Sequence, residues 1–222
     1  MSLIKAILWD MDGTLIDSES FYFSAWQKVL KNYAIHYEKE TWLREMSGKT
    51  TQQVYFELVS RYHLDVGWEP FFQQIKDAVT IQYKQDKVDL MPYAREALIH
   101  LKSRGIQLGL VTSSYRQVME THLKSLLVYD FFDFYVTKDD VTKPKPNPEP
   151  YLLAQKKLVH LSPQEILVFE DSTTGVTSAV DAGLTCVGIH ADSFIRERLP
   201  TPFQYESLMG LFQSSEFLAP IS

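Results

Sequence analysis

A chain of 222 residues with 45% hydrophobic side chains can bury a substantial core, either as one generous domain or as a core carrying an insertion. A formal charge of −6 excludes nucleic acid as the main partner, because a phosphate backbone requires a basic face; a small phosphate ester needs only one or two local cations. One cysteine, Cys186, excludes an intramolecular disulfide and a multi-thiolate zinc site, and its apolar neighbours mark it as an inert buried thiol. No stretch approaches the roughly 20 apolar residues of a membrane span. Acids follow the first apolar run too soon for a secretory signal, so a soluble cytoplasmic protein is expected, with a monomer as the default.

The run 4–9 reads as a buried strand ending in Asp10-Met11-Asp12-Gly13-Thr14-Leu15. Two carboxylates one residue apart on a tight turn suit a hard cation, and Gly13 lets backbone amides approach an anion closely. From about 18 to 89 the pattern changes. Helix-period segments at 21–33, 52–62 and 71–84, rich in aromatics, predict a helical insertion after the first strand. Within it, Trp26, Trp42 and Trp68 are expected to be core residues rather than a stacking platform. Pro92 marks the return to the main body.

Beyond it, helix and strand patterns alternate. A helix over 93–104 stops before Gly105, and a strand over 107–112 runs into Thr112-Ser113-Ser114. Hydroxyls and amides ahead of a helix over 116–127 form a phosphate-oxygen site. A third strand at 134–137 precedes Lys143-Pro144-Lys145-Pro146-Asn147-Pro148, a rigid frame able to hold one cation. A helix over 148–158 follows. The strand 166–170 ends in Glu170-Asp171-Ser172 with Gly175 beyond; a helix over 174–182 closes at Gly183, and 185–189 is a fifth strand. The tail from Ser214 is expected to be loosely held.

Such alternation predicts an α/β fold with a parallel sheet covered on both faces. Taken singly, each motif has a plainer account. Asp10 and Asp12 would make a capped turn, 112–114 and 170–172 ordinary N-caps, and either lysine a solvated loop charge. Their shared placement outweighs those accounts, because all four fall at the carboxyl ends of predicted strands, where such sheets collect ligands.

The signatures DMDGTLIDS at 10–18, VTSS at 111–114, KPNPEPYLLA at 145–154 and FEDSTTG at 169–175 follow one another across the core. With them the chain resembles a haloacid dehalogenase superfamily phosphatase of the group with a helical cap after the first motif. The resemblance implies a Rossmann-like core from 1–17 and 90–222, an α-helical cap from 18–89, and Mg²⁺ as cofactor. Asp10 would be the nucleophile, forming an aspartyl-phosphate, and a metal ligand. Asp12 would be general acid and base, with its main-chain carbonyl on the metal. Thr112 would hold a phosphoryl oxygen, helped by amides near Asp12 and Ser113, and Glu170 and Asp171 would complete the metal site. The family frame aligns with Lys145 rather than Lys143. The cap would close over the site, with Gly48 and Lys49 as candidate substrate contacts and Arg44 a further one; a solvated charge is the plainer account of Lys49 and Arg44.

The implied substrate is a small phosphorylated metabolite, such as a sugar phosphate or a phosphoglycolate-like ester. The presence of Asp12 sets the chain apart from the dehalogenase branch. A phosphosugar mutase is the alternative, but Tyr22 and Thr51 stand where the mutases carry His and Arg, which favours hydrolysis. A signalling receiver domain is more distant, since its acceptor Asp follows a middle strand and it has no cap.

Overall fold

The structure, a computed structural model, describes residues 3–46, 49–85 and 88–214. The chain divides into two compact units, Met1–Asp17 with Asp89–Ser222, and Ser18–Val88. Strand β1 (Ala6–Trp9) opens the first unit with all four residues buried, as expected of a strand covered on both faces.

The second unit is helical. It contains α1 (Ser18–Leu30), α2 (Lys39–Met46), α3 (Thr51–Tyr62) and α4 (Trp68–Gln85). Its apolar core gathers Trp26, Leu30, Trp42, Leu58, Phe71 and Ile75, with the Trp26 and Trp42 rings 5.2 Å apart and Trp26 5.9 Å from Phe71. These aromatics are core, as expected, and Trp68 packs against that core partly buried. Helix α3 begins with a reciprocal capping box: the Gln53 amide donates to Thr50 Oγ1 at 3.2 Å, and the Thr50 amide donates to Gln53 Oε1 at 2.8 Å. Helix α2 was not foreseen. Its eight residues carry apolar side chains only at Trp42, Leu43 and Met46, too few turns to display a period.

In the first unit the chain continues through α5 (Ala94–Ser103), β2 (Gln107–Val111), α6 (Arg116–Ser125), β3 (Phe134–Val136) and α7 (Glu149–Lys157). It then forms β4 (Ile166–Glu170), α8 (Thr173–Asp181), β5 (Thr185–Ile189), α9 (Ser193–Arg196), β6 (Phe203–Tyr205) and α10 (Leu208–Gln213). The six strands form one parallel sheet in the order β3-β2-β1-β4-β5-β6. Strand β6 was missed because it is a three-residue edge strand with half-exposed side chains and no apolar run.

Alternation along β1 sends successive side chains to opposite faces. Ala6 and Leu8 join Val168, Tyr151 and Ala154 of α7, and Val176 and Ala179 of α8, in one core. On the other face Trp9 meets Phe169 edge-on at 4.9 Å, and Phe169 meets Phe212 of α10 at 6.3 Å. Phe212 in turn packs against Tyr93 and His100, the latter on α5, each at 5.9 Å. Helices therefore cover both faces. Where the chain leaves for the second unit and where it returns, the passages are joined by bonds from the Asp17 amide to the Asp89 carbonyl and from the Met91 amide to the Leu15 carbonyl, both 2.9 Å. Among the described residues no helix is long and apolar enough to cross a membrane.

Phe169 is fully buried between two aromatic neighbours in the strand that leads directly to Glu170. Phe169→Ala is expected to lower unfolding stability by about 3–5 kcal/mol in urea titrations. A loss below about 1 kcal/mol would show that this face of the sheet closes without the ring.

Candidate active site

Register sets the site's floor. Trp9 pairs with Leu110 of β2 and with Phe169 of β4, so the next residues, Asp10, Val111 and Glu170, stand level across three adjacent strands. The Asp10 amide continues the ladder by donating to the Phe169 carbonyl at 3.0 Å. Asp10, Glu170 and Asp171 are all buried, and one oxygen of each lies within 4.8 Å of the other two.

Lys145 closes this floor. Its side chain is 5% exposed, and its ammonium donates to Asp10 Oδ1 at 2.6 Å, to Glu170 Oε1 at 2.6 Å and to the Val111 carbonyl at 2.9 Å. The loop before α7 aims it there. Glu149 accepts from the amides of Thr142 and Lys143 at 2.8 and 3.0 Å, and the Asn147 carbonyl accepts from Ser178 on α8 at 2.6 Å. A cis peptide bond joins Lys145 to Pro146. Lys143 is exposed at the same loop, so the lysine that reaches the carboxylates is Lys145.

Two glycines make room for the acids. A Cβ on Gly175 would lie 1.9–2.0 Å from the Glu170 carboxylate, and one on Gly13 would lie 2.1 Å from Asp171 Oδ2. Gly13 also has φ of +82°, a conformation costly for any residue with a Cβ. Around Glu170, the Tyr151 hydroxyl donates to Oε1 at 2.8 Å and the Ser172 hydroxyl to Oε2 at 3.2 Å. Ser172 also caps α8, accepting from the Gly175 amide at 3.0 Å. The Thr14 hydroxyl reaches Asp171 Oδ1 at 3.4 Å.

Asp12 is turned to a different set of partners. The Ser114 hydroxyl donates to its Oδ2 at 2.9 Å, with Thr112 Oγ1 at 3.5 Å from the same oxygen. Thr112 Oγ1 also closes a local turn, accepting from the Ser114 amide at 3.0 Å. The Asp12 carboxylate is thus not one of the three that cluster within 4.8 Å of one another, and Ser113, exposed, lies in sequence between the two residues whose hydroxyls face Asp12.

The electrostatics follow from burial. Burial first, then the charge of Glu170, push the Asp10 carboxyl up to about 8 against the pull of Lys145, with Asp12 adding to the rise. Lys145 is raised above its ordinary value because the attraction of Asp10 and Glu170 exceeds its desolvation. Burial, and then Glu170, hold the Tyr151 hydroxyl protonated and therefore a donor. Burial lowers His122 on α6, partly offset by the charge of Asp12. Fully ionised, three carboxylates facing one ammonium carry a surplus of two negative charges. Hard oxygen donors with that surplus suit a divalent cation.

Among the residues expected from sequence, Asp10, Asp12, Thr112, Lys145, Glu170 and Asp171 therefore lie within one crevice of the first unit. Gly48 falls outside the described residues. Lys49 belongs to the second unit, where it is ion-paired with Glu57 and lines a cavity of about 270 Å³ with Tyr22, Trp26, Trp42 and Met46. Sequence reasoning gave no role to Tyr151 or Thr14, and read Ser114 only within a phosphate-oxygen site and Ser172 only at a strand end or as a cap. Each lies inside a quoted signature, but only the fold shows which carboxylate oxygen it meets.

The haloacid dehalogenase-like hydrolase family model matches residues 7–189. The chain is 33% identical over 184 residues to a phosphorylated carbohydrates phosphatase of Thermotoga maritima, covering 82% of each chain. A putative β-phosphoglucomutase structure from the same organism shares 29% identity with a TM-score of 0.74, over 90% of this chain and 94% of that one. A haloacid dehalogenase family hydrolase of Deinococcus radiodurans has the same fold at 21% identity, with a TM-score of 0.84 over 100% and 98% of the two chains. With these strand-end carboxylates and lysine in place, the chain belongs to the haloacid dehalogenase-like hydrolases and is a phosphatase of that family.

Proposed function

We propose that the protein hydrolyses a small phosphorylated metabolite, with a sugar phosphate as the favoured class, through an aspartyl-phosphate on Asp10 with Mg²⁺ as cofactor. The observation that carries this reading is the buried Lys145 ammonium shared between Asp10 and Glu170, with Asp171 alongside. The substrate class is favoured by the likeness to a relative named for phosphorylated carbohydrates. The helical unit Ser18–Val88 is read as the family's cap domain.

In the first step an oxygen of Asp10 attacks phosphorus, the bond from phosphorus to the ester oxygen breaks, and Asp12 gives its proton to the departing alcohol. In the second step Asp12 takes a proton from water, which attacks the same phosphorus. The bond from Asp10 to phosphorus breaks, and inorganic phosphate leaves. Lys145 fixes Asp10 through Oδ1, leaving the other oxygen for the phosphoryl group. Thr112 and the neighbouring amides are suited to a phosphoryl oxygen at the end of β2. Together with the Asp12 main-chain carbonyl, which the family resemblance adds as a further ligand, Asp10, Glu170 and Asp171 would hold the divalent cation. Bound there, it would neutralise phosphoryl charge that these carboxylates otherwise repel.

A phosphate-release panel of phosphorylated carbohydrates, run with Mg²⁺ and with chelator, tests the reading. Turnover is expected on at least one ester, to disappear with chelator, and to fall at least about 1000-fold in Asp10→Asn. Full turnover in Asp10→Asn would remove the nucleophile assignment. An isomeric phosphosugar formed without free phosphate would point to the mutase instead.

Cation binding should also depend on pH. A carboxyl at 3.8 in the unfolded chain and about 8 in the folded one retains a proton on folding between those values. Its contribution to stability is complete below about pH 4 and is lost as pH rises through about 8. A cation competes with that proton and relieves the loss. The rise in melting temperature on adding Mg²⁺ is therefore expected to be larger near pH 8 than near about pH 5.5. A shift that is equal, or larger at the lower pH, would contradict a cation held by Asp10.

A further inference from the structure

We propose that Tyr151 is a positioning residue for the charge centre, holding Glu170 with its hydroxyl and Lys145 with its ring so that the ammonium stays on Asp10. Tyr151 is the third residue of α7 and is fully buried in the core beneath the sheet. A side chain serving only to fill that core would need no hydroxyl, and a buried hydroxyl needs an acceptor. Here the acceptor is Glu170 Oε1 at 2.8 Å, the same oxygen that Lys145 binds at 2.6 Å. The ammonium also lies 4.9 Å from the centroid of the Tyr151 ring, within cation–π range. One side chain thus touches both members of the ion pair.

The consequence for Asp10 is geometric. Lys145 has three N–H donors, and they go to Asp10 Oδ1, Glu170 Oε1 and the Val111 carbonyl. The Val111 carbonyl is fixed by the sheet. Glu170 is a side chain, and Gly175 presses against it with no room for an added methyl. With Tyr151 and Lys145 on one oxygen and Ser172 on the other, the carboxylate plane is fixed. Without the phenol, Glu170 Oε1 retains Lys145 alone, and rotation of the carboxylate would draw the ammonium away from Asp10.

Tyr151→Phe keeps the ring and removes the hydroxyl. In the full-length protein with Mg²⁺ and p-nitrophenyl phosphate, kcat is expected to fall about tenfold with KM within about twofold. Calorimetric titration of Mg²⁺ without any ester is expected to give weaker binding by about threefold or more, since Glu170 is less well placed. Tyr151→Leu, which also removes the ring face, should lower kcat further. Should that variant not fold, Tyr151→Phe decides alone.

A Tyr151→Phe protein with kcat and Mg²⁺ affinity both within about twofold of the unaltered chain would overturn the assignment. So would a loss of activity carried by a raised KM together with a lowered melting temperature, which marks lost packing. The proposal rests on the phosphatase reading for its kinetic arm only. If the unaltered protein hydrolyses no ester but Tyr151→Phe still weakens Mg²⁺ binding, the phosphatase reading fails and the positioning role stands. If Tyr151→Phe is silent while Asp10→Asn abolishes turnover, the reverse holds.

Discussion

Three buried carboxylates within 4.8 Å of one another, with one ammonium set between two of them, form a charge arrangement that a protein interior does not tolerate by default. Each charge taken from water must be met by an opposite charge or by well-aimed donors. Lys145 meets part of the demand. The rest falls to the hydroxyls of Tyr151, Ser172 and Thr14, leaving a surplus of negative charge suited to a divalent cation. Much of the first unit can be understood as the scaffold that keeps these groups from relaxing apart.

The scaffold works through register. Because Trp9 is level with both Leu110 and Phe169, Asp10 stands between Val111 and Glu170, and a single ammonium can bond all three. A one-residue slip of β1 against either neighbour would turn Asp10 toward the opposite face and break the group. The apolar strands resist that slip, since Leu8 is buried with α7 and α8 residues on one face and Trp9 against Phe169, which meets α10, on the other. Glycine completes the design where side chains must meet backbone. Gly13 and Gly175 are the surfaces against which Asp171 and Glu170 lie, so each is needed for the absence of its Cβ.

How much of this was legible in the sequence depends on what signal each feature leaves. Strands β1 to β5 leave runs of apolar residues, because both faces of the sheet are covered, and the structure places them within two residues of expectation. Asp10, Thr112 and Glu170 were legible because a parallel sheet collects chemistry at one end, so they could be sought where strands end, whereas Lys145 lies in the loop beyond β3 and was told from Lys143 only by the family resemblance. Features set by partners distant in the chain were not legible. Tyr151 looks like a helix core residue until β4 brings Glu170 beside it, and Ser114 looks like a cap until Asp12, 102 positions away, meets its hydroxyl. Short elements were missed for a different reason. Helices α9 and α10 span 4 and 6 residues, too short for a period to rise above local composition, and in the three residues of β6 Gln204 breaks the apolar run that reveals the equally short β3.

Asp10 and Asp12 are two residues apart yet sit in unlike surroundings, and that difference separates their proposed roles. Asp10 keeps charged company, an ammonium on one oxygen and two carboxylates beside it, which leaves its other oxygen for the proposed phosphoryl group or cation. Asp12 meets neutral hydroxyls from the end of β2, weaker partners that a moving proton can replace at small cost. A proton carrier paired with Lys145 would have one oxygen tied to a fixed ammonium, which opposes its protonation and so its delivery of a proton to a leaving group. A nucleophile placed among hydroxyls would lack the ammonium that opposes the effect of burial on its carboxyl. The tight turn that begins at Asp10 and passes Gly13 resolves this conflict by dividing one strand end between two neighbouring strands, charge toward β4 and hydroxyls toward β2.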